Sequence, residues 1–269
     1  MWHQIAGTLF GRWYVTIFGL SFAVFALRHL GPRRTLVYTA AAIAVGVLAE
    51  NGAVRYGFPY TGYRFDPRLR GNEIFVGDVP LMVSLSYTFM SYFAFAAARL
   101  IVAGPYRTRS RQPVMEFLVA VMLATWALWV IDPISRMGRY FFLGQLFRYD
   151  GPGFWFGLPL GSQVGFAGTS ALLVGLLTFI QRREPAAPVE RLVVHPRLPA
   201  LLAYMGQVLF MAGTAFWVAR STDNPAARAL ADSFAGSAFI IGVPMALMVV
   251  VHWRSLGRSD PDGTFPGSG

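Results

Sequence analysis

The chain has 269 residues, no cysteine, and 23 basic against 13 acidic residues, for a formal net charge of +10. Hydrophobic residues make up 55% of it and charged residues 13%, roughly half the charged share of an ordinary soluble domain. A soluble globular class is thereby excluded, as are disulfides, thiolate nucleophiles and cysteine metal sites, while the redox compartment stays open.

Every basic residue is arginine, so a retinal protein, which needs a lysine Schiff base, is excluded too. The arginines fall in short segments between apolar runs rather than on one face of a polar domain. They therefore read as charges that orient helices, not as a nucleic-acid surface.

Seven apolar runs are long enough to cross a ~30 Å hydrocarbon layer at ~1.5 Å per residue. In chain order they are about Trp13 to Leu30, Thr35 to Val54, Val79 to Ala103, Val114 to Ile131, Leu158 to Ile180, Pro199 to Ala219 and Ala229 to Trp253. The first lacks a small-residue cleavage site after a short apolar core and reads as a retained helix. The sixth carries Gln207, and the seventh carries Asp232 and Pro244. The expected fold class is all-α, a polytopic membrane helical bundle, with residues 1–258 as one transmembrane domain. The Pro-rich stretch "QRREPAAPVERLVVHPRLP" is a connector, and residues 259–269, "SDPDGTFPGSG", read as a disordered tail. Thirteen arginines lie on the side of the C-terminus and ten on the other, which places the C-terminus in the cytoplasm by the positive-inside rule.

With seven spans, the end of the second, the start of the third, the end of the fourth and the start of the fifth share one side. Those ends carry Glu50 in "AENGAVRYGFPYTGY", Asp78 in "FVGDVPL", Asp132 in "WVIDP", and "GPGFWFGLPLGSQVG". An acid beside hydrocarbon is costly when ionised, and a carboxyl kept neutral donates a proton. Tyr56, Tyr60, Tyr63, Tyr87, Trp129 and Trp155 lie on or near the same segments, and aromatic faces attract positive charge where water is excluded. Acids and aromatics together point to carbocation chemistry. Each acid also has a purely structural alternative: Asp132 bonded to loop amides, Glu50 paired with Arg55, and Asp78 capping the third span. Glu116 and Asp232 suit helix starts. His3, His29, His195 and His252 have no metal-ligand spacing, and there is no phosphate loop, so no metal and no cofactor is expected.

The runs "ENGAVRYGFPYTGY", "VPLMVSLSYTFMSY", "DP" at Asp132 and Pro133, and "GFWFGLPLGSQVGF", in that order, resemble the carotenoid biosynthesis protein family. That family includes the carotenoid 2'-hydratases and bisanhydrobacterioruberin hydratase, integral membrane enzymes that add water to the terminal isopropylidene bond of acyclic carotenoids. The resemblance covers roughly residues 49–166 and implies an apolar isoprenoid or carotenoid substrate in a bacterial or archaeal cell membrane. This chain departs from the pattern at Pro59, Tyr60, Thr61 and at Ser162, Gln163, Val164, Gly165, Phe166. The departures bear on whether water or an internal alkene receives the cation. On this reading Asp132 donates the proton, and Glu50 or Asp78 stabilises the cation and takes a proton from water. Tyr56, Tyr60, Tyr63, Tyr87, Trp129, Trp155 and Gln163 bind substrate, while Arg55 and Arg139 orient the carboxylates. A cyclase and a transporter or small-molecule binding protein are the alternatives, the latter because intramembrane carboxylates also serve proton relays.

Overall fold

The computed structural model describes residues 2–103, 112–141, 144–149, 153–181 and 197–256. The expected C-terminal tail and the connector between the fifth and sixth spans lie outside them, the connector except for Gln181 and its last residues.

Helix α1 (Trp2–Gly11) is followed by α2 (Trp13–Leu30) and α3 (Pro32–Tyr56). Pro32 opens α3, where a missing N–H costs nothing, and Gly57 closes it in the left-handed conformation, its N–H donating to Ala53. The segment after α3 holds strand β1 (Tyr63–Phe65), one turn of helix α4 (Leu69–Asn72), and strands β2 (Phe75–Val76) and β3 (Val79–Pro80). Then come α5 (Leu81–Ala103) and α6 (Pro113–Ile131), a 3₁₀ segment over Asp132–Tyr140, strand β4 (Phe147–Tyr149), α7 (Leu160–Gln181), α8 (Arg197–Ser221) and α9 (Pro225–Leu256).

Six of these helices, α2, α3, α5, α6, α7 and α8, are long and apolar enough to cross a membrane. With the 32-residue α9 they form an all-α polytopic bundle of about seven membrane helices. Their outer faces carry exposed Leu20, Leu36, Leu48, Leu172, Leu209 and Phe216, as a lipid-facing surface requires and an aqueous one does not.

Helix α5 is the axis of the bundle. Its run Tyr92 to Ala98 is completely buried, and its small side chains let α2, α3, α6, α7 and α8 close around it. Two ion pairs tie the helices. Arg99 on α5 meets Glu116 on α6 at 3.3 Å, both buried, and Arg220 on α8 meets Asp232 on α9 at 3.5 Å in the open. The helix-start acids thus pair with arginines of neighbouring helices.

Strands β1 and β4 come from different loops and pair antiparallel, Tyr63 opposite Tyr149 and Phe65 opposite Phe147. This small ribbon lies across the end of the bundle that bears Glu50 and Asp132.

Candidate functional site

Inside that end is a cavity of ≈ 120 Å³ whose walls come from α2, α3, α5, α6, α7, α8 and the ribbon. The four spans whose acid-bearing ends share this side, α3 and α5 to α7, all contribute. Helices α2 and α8 contribute as well, because α5 is wrapped on every side. Both Glu50 and Asp132 line this cavity.

Glu50 faces inward because the buried stripe of α3, Tyr38, Ala42, Gly46, Ala49 and Ala53, recurs at helical spacing and Glu50 lies within it. Gly46 lets α3 approach α5 closely: a methyl group there would come within 3.0 Å of the Tyr87 ring. That approach brings the Tyr87 hydroxyl to Glu50, to which it donates at 2.5 Å. Gly165 plays the same part on α7, where a methyl group would overlap the Pro59 carbonyl and the Tyr60 ring. The loop carrying Tyr60 can therefore lie flat on α7, and Tyr60 reaches both Tyr87, at 2.7 Å, and Thr169.

A continuous row of oxygens results. Tyr87 donates to Glu50, Tyr60 donates to Thr169 at 2.9 Å, and Thr169 donates to the Gly165 carbonyl at 2.9 Å. Each hydroxyl has one proton to give, so with Glu50 ionised no proton remains for the contact between Tyr60 and Tyr87. A proton on Glu50 reverses its bond to Tyr87, frees the Tyr87 proton for Tyr60, and turns every contact in the row into a hydrogen bond.

Asp132 sits just beyond the α6 span, where Pro133 ends the α-helix and a 3₁₀ segment begins. It is buried, and Tyr149 of the ribbon donates to its Oδ2 at 3.4 Å. Burial pushes its carboxyl up to about 7, against the smaller opposing effect of the Tyr149 hydrogen bond. The ribbon also gathers aromatic rings at this end: Tyr63 lies 5.4 Å from Phe147, edge-on, and 5.5 Å from Tyr149, tilted.

The remaining candidates divide between the cavity and its surroundings. Tyr63 and Tyr87 line it, and Tyr60 backs it through the oxygen row. Asp78 does not line it. It lies half-exposed at the bundle end between Arg55, at 2.7 Å, and Arg70, at 2.5 Å. Hydrogen bonds from Arg55 and then Arg70 hold its carboxyl below the usual aspartate range. Arg55 is thus engaged with Asp78 rather than with Glu50, and Tyr56 beside it is 81% exposed. Trp129 and Trp155 pack on each other at 5.4 Å, the Trp155 indole donating to the Trp129 carbonyl, outside the cavity lining. Gln163 is buried on α7 with no protein hydrogen-bond partner for its amide, also outside the lining. The side chain of Arg139 lies outside the described residues.

Sequence reasoning missed Thr169, Tyr149, Arg12 and Gln207. Only Gln207 carried a signal, a lone amide in an apolar run; the others depend on which loops fold together. Among the described residues, no three or more His, Asp or Glu side chains are grouped as metal ligands would be.

A family model described as carotenoid biosynthesis protein matches residues 10–231. No curated protein and no solved structure matches the chain.

Proposed function

The chain belongs to the carotenoid biosynthesis protein family, and from that membership we propose that it hydrates a carbon–carbon double bond of an acyclic isoprenoid by acid catalysis. Asp132 gives its proton to the less substituted alkene carbon, the π electrons forming the new C–H bond. A tertiary cation remains, and the aromatic rings of Tyr63, Phe147 and Tyr149 lie around this end of the cavity to stabilise it. A water oxygen then bonds to the cationic carbon, and Glu50 takes the proton the water loses. Net addition is one water, and return of that proton from Glu50 to Asp132 resets the site.

The observation that carries this reading is that two carboxyls with different surroundings face one apolar cavity. Asp132, at about 7, retains a protonated fraction near neutral pH, as a general acid needs. Glu50 heads an oxygen row one proton short of complete, which favours a group that accepts a proton. A cavity of ≈ 120 Å³, somewhat smaller than the ~150 Å³ that takes a benzene, suits a terminal isoprene unit, with the rest of the polyene outside it.

Purified protein incubated with acyclic isoprenoids in deuterated water tests this by mass spectrometry. One deuterium with an added water is the expected result. One deuterium without added water would mean capture by an internal alkene or isomerisation, and therefore a cyclase or isomerase. No deuterium in any product would sink the acid-catalysis reading.

A further inference from the structure

The cavity has polar groups that the proposed hydration does not use, Arg12 and Gln207. Arg12 stands between α1 and α2, and Gln207 on α8. The two helices run antiparallel, Tyr14 stacking on Phe210 at 5.2 Å and Phe18 packing against Gly206, so the polar residues flank one aromatic pair on the same wall.

Both are almost completely buried, at 4% and 2% exposure. The Arg12 Nε–H donates to Glu73 at 2.9 Å, but its Nη2 meets no acceptor, and neither the oxygen nor the nitrogen of the Gln207 amide has a protein partner. Buried donors and acceptors left unmet cost folding free energy, and here they belong to residues that line an otherwise apolar cavity.

We propose that this wall is a binding subsite for a hydroxyl group carried by the isoprenoid, so that the preferred substrate is an oxygenated terpenoid and not a plain hydrocarbon. The identity of the ligand as an isoprenoid rests on the function proposed above. Charge selects a neutral group: the Glu73 carboxylate already balances Arg12, both side chains being buried, and a diphosphate would add uncompensated negative charge. Hydrogen bonding selects a hydroxyl over a carbonyl or ether. Arg12 offers only donors, whereas the Gln207 oxygen needs a donor, and a hydroxyl both accepts and donates.

The test is binding, followed by tryptophan fluorescence in detergent, of geraniol, its methyl ether, geranyl diphosphate, and 2,6-dimethylocta-2,6-diene, the same skeleton without oxygen. Wild-type protein should prefer geraniol over both the diene and the ether by about tenfold, the scale of one hydrogen bond, and should prefer it over the diphosphate. Gln207→Met, which keeps the length and loses the amide, should abolish the preference of geraniol over the diene. The ratio between wild type and variant cancels partitioning into detergent, and the ether arm needs no variant at all. A preference for the diphosphate, equal binding of ether and alcohol, or an unchanged ratio in Gln207→Met would overturn the subsite. Turnover is not required, so a failure to incorporate deuterium would remove the hydration reading without touching this result.

Discussion

Asp132→Asn separates chemistry from stability, because it should move the two in opposite directions. The substitution keeps shape and hydrogen-bonding capacity but cannot supply an acidic proton, and losing an essential general acid costs ~10²–10⁴-fold in rate. Stability follows from the buried position. The Asp132 carboxyl rises from an ordinary 3.8 to about 7 because burial disfavours its charge. Between those values the folded protein holds a proton that the unfolded chain has released, so wild-type stability falls as pH rises through that window and levels off above it. At ~1.4 kcal/mol per pH unit, the ionised form carries a penalty of about 4 kcal/mol above pH 7. Asparagine carries none. Thermal unfolding midpoints of wild type and variant in detergent should therefore coincide near pH 4 and diverge in favour of the variant by pH 8, while product formation by the variant is lost. Wild-type turnover should itself fall as pH rises above about 7. Near-normal turnover by a folded variant would remove Asp132 as the donor and make Glu50 the leading candidate. Coincident midpoints at pH 8 would refute the claim that burial keeps Asp132 protonated.

Three other substitutions probe the surroundings. Tyr87→Phe removes the hydroxyl between Glu50 and Tyr60; a hydrogen bond to a charged group is worth ~1.5–3 kcal/mol, so turnover measured by product formation should fall ~10–10²-fold in a folded protein, and an unchanged rate would take the oxygen row out of the mechanism. Asp78→Asn should keep turnover within ~threefold, the scale of a modest contact, since Asp78 is engaged with Arg55 and Arg70 away from the cavity; a loss like that of Asp132→Asn would return it to the site. Glu116→Gln weakens the buried pair with Arg99 and should lower stability by ~1–3 kcal/mol, seen in the unfolding midpoint, while the folded fraction turns over at the wild-type rate; a selective loss of rate would contradict a structural role.

The helices were largely legible because their signal is local. The apolar run Trp13 to Leu30 coincides with α2, and the fourth run begins one residue inside α6 at Pro113. Ends were less legible where capping decided them: Gly57 lets α3 continue to Tyr56, two residues past the apolar run. The parity of spans puts Glu50 and Asp132 at one end of the bundle, and both line one cavity. Parity also groups Asp78 with them, but depth and direction are not periodic properties, and Arg70, brought near by the one-turn helix α4, helps hold Asp78 at the rim. The row through Tyr60 and Thr169 was invisible for a related reason. It depends on Gly165 admitting the loop, and a glycine in an apolar run does not announce what will lie against it.

The two-stranded ribbon has a bearing on how the protein is made. Strand β1 is synthesised straight after α3, but β4 appears only after α5 and α6 have followed. Until then Tyr63 has no Tyr149 opposite it, and the cavity that Glu50 lines lacks the β4 part of its wall. A nascent chain stalled before residue 147 would thus hold α1 to α6 without the ribbon or α7 to α9, and the burial that sets Asp132 apart from an ordinary aspartate would be incomplete. The neutral carboxyl at this position is thus acquired late in biogenesis, when two distant loops meet, and on the proposed function a partly inserted chain carries an ordinary ionised aspartate there in place of a proton donor.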